Sequence, residues 1–192
     1  AVPRGPFFDM FSLPTAAEAG GVSSGSEVYF SFDHANIHFV VLDSQTSDRS
    51  PGSAMLTWLE ADLAATAQDW VVAYWHHPPY SKGSHDSDAE ARLVDMRENV
   101  VPILEDYGVD LVFTGHSHAY ERSFLIEGHY GLSDTFVESM KVDGGNGRED
   151  GNGAYHKPAL GEPHGGMVHT VAGNAGKVTG GSLDHPAMFI SY

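Results

Sequence analysis

Two short apolar runs set the architecture. WVVAYW (70–75) and VDLVFT (109–114) are strand-length, and DSDAEARLVDMRENVVPILEDYG (86–108) lies between them. The runs read as strands buried on both faces of a sheet. The segment between them reads as a helix that Pro102 bends or restarts and Gly108 stops. Strand, helix, strand is a βαβ unit, which joins parallel strands by a right-handed crossover. A chain built this way is α/β, and its ligands gather beyond the carboxyl ends of those strands.

The flanking segments extend that frame. EVYFSFD (27–33) and IHFVVLDS (37–44) are β-rich and joined by HAN, which predicts a hairpin. SPGSAMLTWLEADLAATA (50–67) predicts an amphipathic helix, with Ser50 as N-cap, Pro51 at the first helical position, and Met55, Leu56, Leu59 and Leu63 at helical spacing. ERSFLIEG (121–128), GMVHTVAGNAG (166–176) and AMFISY (187–192) predict later strands. Residues 1–26 read as an irregular lead-in, and 129–165 as a long Gly-rich, polar excursion. With no internal repeat and no clear linker, 1–192 is read as a single domain.

Composition narrows the chemistry. The net charge is −16 with histidines neutral, which argues against nucleic acid as a stable partner. No apolar run has the length of a membrane span, so no membrane partner is expected. Cysteine is absent, so any metal must sit on nitrogen and oxygen donors. Of the 12 histidines, six lie between His76 and His129, which directs attention to that stretch. The chain begins with Ala1 and shows no secretory signal, as in a processed or excised piece.

Two histidine clusters stand at the strand ends. The run 70–75 is followed by His76 and His77, and the run 109–114 by Gly115-His116-Ser117-His118. Two strands separated by one helix can be neighbours, which would bring His76 to His116. Gly115 offers a tight turn with unusual dihedrals, and alternation about Ser117 lets His116 and His118 face one cavity. Imidazoles in that arrangement bind Zn, Fe or Mn.

WHHPPYSKGSH (75–85) and GHSHAYER (115–122) resemble the last two motifs of the calcineurin-like metallophosphoesterases, especially the purple acid phosphatase branch. The resemblance continues through VYFSFDHANIHFVVLDS (28–44), EGHYG (127–131) and GGSLDHPAMF (180–189), so it covers nearly the whole chain. It implies an α/β sandwich with mixed sheets and βαβ units, holding two metal ions (Fe, Zn or Mn). It also implies hydrolysis of a phosphate ester, monoester or diester, by a metal-activated hydroxide. By motif position, His76 and His116 resemble ligands of one ion and His118 a ligand of the other. His85 resembles the histidine that holds the phosphate and protonates the leaving group. His77 either lines the substrate pocket or packs against Pro78. Glu121 and Arg122 either support the site's geometry or form an ion pair. Secretion or periplasmic export is implied by the resemblance alone.

The family also carries three earlier motifs, Asp-x-Gly or Asp-x-His, Gly-Asp-x-x-Tyr, and Gly-Asn-His-Asp/Glu, which supply carboxylates and further ligands. Here Asp9 precedes Met10, Asp33 precedes His34, and Asn36 precedes Ile37, so none of the three is present. The chain is therefore expected to be an incomplete catalytic domain, part of a longer enzyme. The alternative is a non-catalytic metal- or phosphate-binding module. Other motifs fail on spacing. AGNAGKVTGG (172–181) lacks the P-loop pattern and reads as turns near the site. DGGNGREDGNG (143–153) lacks the EF-hand spacing and its terminal Glu, and reads as a mobile acidic loop. A metallo-β-lactamase-type site would need Asp-His after its His-x-His, and Ala119-Tyr120-Glu121 does not supply it. His129, His156, His164, His169 and His185 are scattered and read mostly as surface or packing residues, with a few from the late loops as candidates to line a substrate cleft.

Overall fold

The structure is a computed structural model that describes residues 5–151, 153–157 and 161–192. Its centre is a mixed seven-stranded sheet in the order β1-β2-β3-β4-β8-β5-β9, with β6 and β7 paired separately. The hairpin is β1 (Phe30–His34) and β2 (Ile37–Val41), antiparallel. Strand β2 runs parallel to β3 (Trp70–Tyr74), and β3 runs parallel to β4 (Leu111–Thr114). The mixed α/β architecture expected from sequence is the one observed, with a second βαβ unit (β2, helix, β3) beside the expected one.

The lead-in holds one short helix, α1 (Pro6–Met10). The first crossover helix, α2, spans Ala54–Ala65, later than its sequence signals suggested. Ser50 is not its cap. Ser53 N–H donates to Ser50 carbonyl oxygen at 3.0 Å, Gly52 takes φ +77°, and 50–53 becomes a turn. The cap is Ser53, whose Oγ accepts Leu56 N–H at 3.4 Å. Helix α2 buries Met55, Leu56, Leu59 and Leu63 against Val40, Val71 and Ala73 of the sheet. Each buried Leu contributes about 2 kcal/mol by removal from water.

The second crossover begins at Ala91, because 86–90 fold into turns around Lys82. Lys82 Nζ donates to Asp86 at 2.6 Å and to Asp88 at 2.8 Å. The helix is then interrupted. α3 (Ala91–Asp95) passes through a π-helical turn, Met96–Val100, into α4 (Val101–Asp106). Pro102 sits in the first turn of α4, directly after the π-helical turn. Gly108 closes the segment at φ +69°.

The two central runs are not buried on both faces. Val71, Ala73 and Val112 are buried under the helices, but Trp70 is 45% and Phe113 40% exposed on the other face. The sheet is covered on one side only by helix. ERSFLIEG is also not one strand. It breaks at Phe124 into β5 (Tyr120–Ser123), in the main sheet, and β6 (Leu125–Ile126), which pairs with β7 (Lys141–Asp143). Strand β8 (Val168–Ala172) lies parallel to β4 and antiparallel to β5, and β9 (Met188–Ser191) closes the edge. Asn152 of the acidic loop lies outside the described residues.

Behind the hairpin, His38 is buried between two carboxylates. Its Nδ1 lies 2.7 Å from Asp33 Oδ1 and its Nε2 2.9 Å from Asp62 Oδ2. Ser31 Oγ donates to Asp62 at 2.7 Å, so β1, β2 and α2 are tied at one point.

Candidate metal and phosphate site

The parallel register of β3 and β4 brings the two histidine clusters together. Tyr74 pairs with Phe113, and Gly115 N–H donates to His76 carbonyl oxygen at 3.0 Å. The chain beyond both strands therefore leaves from one place. Gly115 does not carry the unusual dihedral. His116 does, at φ +61°, in the left-handed region that costs a non-Gly residue energy. The turn is held by Ser117 N–H donating to Gly115 carbonyl oxygen at 2.7 Å.

His76 Nε2 lies 3.0 Å from His116 Nδ1. The His77 ring lies 4.5 Å from that of His116, and the His85 ring stacks on His116 at 3.7 Å. Among the described residues, two sets of three donors lie within 4.8 Å of one another: His76, His77 and His116, and His85, Glu90 and His116. Two nitrogens at Zn–N bonds of about 2.0–2.1 Å in a tetrahedral shell lie about 3.3–3.4 Å apart, so the His76–His116 approach is of the right order for one ion. The donors are all nitrogen and carboxylate oxygen, which suits Zn, Fe or Mn.

His116 belongs to both sets through different atoms. Its Nδ1 faces His76, and its Nε2 lies 3.4 Å from Glu90 Oε2. A neutral imidazole has one lone pair, so it can serve an ion through one nitrogen while donating through the other. With Nε2–H on Glu90, the free lone pair is on Nδ1, towards His76. Burial, and then the charges of His116, His85 and His118, hold His76 below its usual pKa. Burial likewise lowers His116. Both therefore favour the neutral form that binds metals.

His118 is placed differently. It falls in neither compact set, although its charge is felt at His76 and His116. Its N–H donates to Ser84 Oγ at 2.9 Å, and its carbonyl accepts Thr179 N–H at 3.0 Å. His77 is buried, with Nδ1 at 2.8 Å from Ser44 Oγ, and it also lies against His76. His85 Nδ1 lies 2.8 Å from Glu90 Oε1, while its Nε2 has no hydrogen-bond partner among the described residues.

Glu90 is the residue that sequence reasoning missed. Taking the helix to start at residue 86 put Glu90 on a helical turn. It is instead the residue before α3, where it reaches both His85 and His116. Glu121 and Arg122 do not pair with each other. Adjacent on a strand, they point to opposite faces. Buried Glu121 accepts Ser81 Oγ at 2.5 Å and Lys82 N–H at 3.1 Å. Arg122 donates to Asn146 carbonyl oxygen at 2.8 Å. Ser81 Oγ also lies 2.9 Å from Ser117 Oγ, so Glu121 links the His85 loop to the His116 loop.

Glycines of the late loops make room for this packing. A Cβ on Gly173 would stand 1.9 Å from Ser117 carbonyl oxygen, and one on Gly181 1.7 Å from Gly83 carbonyl oxygen. The 172–181 run therefore does turn against the site.

Residues 3–120 match the calcineurin-like phosphoesterase family. The chain belongs to the calcineurin-like phosphoesterases. Purple acid phosphatase 15 of Arabidopsis thaliana is 39% identical over 121 residues, covering 60% of this chain and 22% of that protein. Purple acid phosphatase 18 of the same plant is 36% identical over 129 residues, covering 64% of this chain and 28% of that one. The chain thus spans only about a quarter of the length of these relatives. In three dimensions it is similar to a purple acid phosphatase from yellow lupin (Lupinus luteus) seeds, with a TM-score of 0.57 at 16% identity over 94% of this chain and 32% of that one. That likeness concerns the fold. No helix among the described residues is long and apolar enough to cross a membrane.

Proposed function

We propose that this chain carries the histidine half of a dinuclear site that hydrolyses phosphate esters. The observation that carries the reading is the meeting of His76 Nε2 and His116 Nδ1 at 3.0 Å, beyond two paired parallel strands, with His85 stacked alongside. His76 and His116 would hold one ion and His118 would contribute to the second, with His77 and His85 on the substrate side. Metal ions held there would polarise phosphoryl oxygens and acidify a water molecule.

The chain's own residues do the rest. Glu90 fixes the His85 ring through Nδ1, which leaves Nε2 to hold a proton for the departing ester oxygen. The Glu121–Ser81–Ser117 link fixes the distance between the two histidine loops. Secretion or periplasmic export belongs to the same reading, through the family resemblance.

One observation favours the second reading, a non-catalytic metal- or phosphate-binding fragment. The two compact donor sets hold a single carboxylate, Glu90, and a bridged pair of ions needs more. Elemental analysis after exhaustive dialysis separates the two. The full-length protein should hold two ions per chain and hydrolyse phosphate esters. His116→Ala and His118→Ala should each cut turnover by orders of magnitude with unchanged circular dichroism. Full activity in either variant refutes the assignment.

A further inference from the structure

A cavity of about 540 Å³ opens beside the histidine cluster and reaches beyond it. His77, His116 and Glu90 line it on the side of the cluster, and Gln45, Arg49 and Arg92 complete much of its wall. Its volume lies within the range of small-molecule sites, about 300–1,000 Å³. Two arginines in one cavity are notable in a chain with 10 Lys and Arg against 26 Asp and Glu.

The two arginines differ in a useful way. Arg49 is held in place: its Nε donates to Asp95 at 3.2 Å, and its Nη1 donates to Ser44 and Ser47 carbonyl oxygens at 3.2 and 2.9 Å. Its Nη2 has no hydrogen-bond partner among the described residues. Arg92 is exposed, and its guanidinium has no hydrogen-bond partner among the described residues. The one carboxylate in the lining, Glu90, is engaged with His85 and His116.

We propose that this cavity is a subsite for a second anionic group, a phosphate or a carboxylate, carried by the leaving group of the ester. The inference rests on the phosphoesterase reading above and names its substrate class: phosphate esters whose alcohol is itself anionic. The rest of the surface repels such substrates through its negative charge. The free Arg92 guanidinium can present a forked pair of donors to phosphate or carboxylate oxygens, and the fixed Arg49 adds its remaining Nη2.

The test compares phenyl phosphate with carboxyphenyl phosphate and phenylene bisphosphate as substrates of the full-length enzyme. Arg92→Gln, at an exposed and unpaired residue, should lower the kcat/KM ratio of the anionic to the neutral ester about tenfold, mainly through KM. Arg49→Met with Arg92→Gln should lower it further. An effect on the bisphosphate alone assigns the subsite to phosphate, and an effect on the carboxyphenyl ester alone assigns it to carboxylate. Arg148→Gln, an exposed residue paired with Asp150, controls for a change in overall charge. An unchanged ratio in Arg92→Gln, or an equal drop in Arg148→Gln, overturns the proposal. Calorimetry with pyrophosphate and orthophosphate makes the test independent of turnover. If no ester is hydrolysed, a pyrophosphate preference that vanishes in Arg92→Gln keeps the subsite and sinks the hydrolytic reading. No preference in the parent protein sinks the subsite.

Discussion

At the scale of single residues, histidine divides into three environments with different consequences. His85 has Nδ1 on Glu90 and Nε2 without a partner among the described residues, and in the proposed reading it would protonate a leaving group. His85→Ala should then slow esters of poor leaving groups by about 10²–10⁴-fold, and activated aryl esters much less. Equal slowing, measured across a series of substituted phenyl phosphates, would remove the general-acid role. A second group, His129, His169 and His185, packs around Tyr80, whose hydroxyl donates to His129 carbonyl oxygen. Both ring nitrogens of His129 and His169 are buried without partners among the described residues, as is His185 Nε2. Burial pushes His129 to about 4, and His169 and His185 to about 3. Well above pH 6.5 these rings are neutral whether the chain is folded or not, and their titration contributes nothing to stability. As pH falls from 6.5 towards 4 and then 3, the unfolded chain takes up protons that the fold refuses, so stability drops. His169→Phe should therefore raise the urea midpoint more at pH 5 than at pH 8, and an equal shift at both would contradict this. His38 acts oppositely. Burial lowers its pKa, but hydrogen bonds to Asp62 and Asp33 raise it by more, leaving it above 6.5. Its contribution is full below 6.5 and is lost as pH rises through the raised value. The meeting of His76 and His116 was legible because each closely follows a strand end, while His85, in the loop beyond β3, was singled out only by the motif resemblance. The trio around Tyr80 was not legible, because its members come from distant segments that only the tertiary fold brings together.

At the scale of elements, the π-helical turn Met96–Val100 carries the strongest tie to the site. Within it, Arg97 is fully buried. Arg97 Nε donates to Tyr130 carbonyl oxygen at 3.1 Å, and its Nη1 donates to Pro79 and Ser87 carbonyl oxygens at 3.3 and 2.5 Å. The loop from His76 to Glu90 is thus anchored from the helix behind it. Arg97→Ala leaves buried carbonyls unpaired and should cost about 3 kcal/mol or more in urea unfolding. Arg97→Lys should recover only part, because one ammonium cannot reproduce the fork. A loss below about 1 kcal/mol would mean that the loop is held by other contacts. The sequence revealed the existence and type of these elements through β-rich runs, the apolar spacing of α2, and Gly108 as a stop. It did not reveal the π-turn, because one inserted residue leaves the hydrophobic pattern of 91–106 nearly unchanged. Nor did it place the start of α2, where Ser50-Pro51 and Ser53 offer rival caps and only the turn at Gly52 decides between them.

At the scale of the whole molecule, the covered and uncovered faces of the sheet have unequal fates. Helices α2 to α4 bury one face, while the other presents Trp70 and Phe113 exposed and Ile37, Phe39, Val72, Tyr74 and Leu111 half-buried. The unbroken apolar character that made the 70–75 and 109–114 runs look doubly buried in sequence is what leaves this apolar row uncovered here. Contiguous apolar surface of this kind drives association, and a net charge of −16 opposes it over a range that salt shortens. The 192-residue chain on its own should therefore self-associate in solution, more strongly at 0.5 M than at 0.05 M salt, as read by sedimentation velocity. Trp70→Lys with Phe113→Lys removes two large apolar side chains, each about 2 kcal/mol of transfer free energy, and should weaken association by at least about tenfold. Both substitutions lie away from the helix-packed core, so circular dichroism should be unchanged. A chain that sediments as a monomer at every concentration and salt would show that the face is not sticky. Association that survives the double substitution would place the contact elsewhere, with the exposed Phe7 and Phe11 of the lead-in the next surface to test.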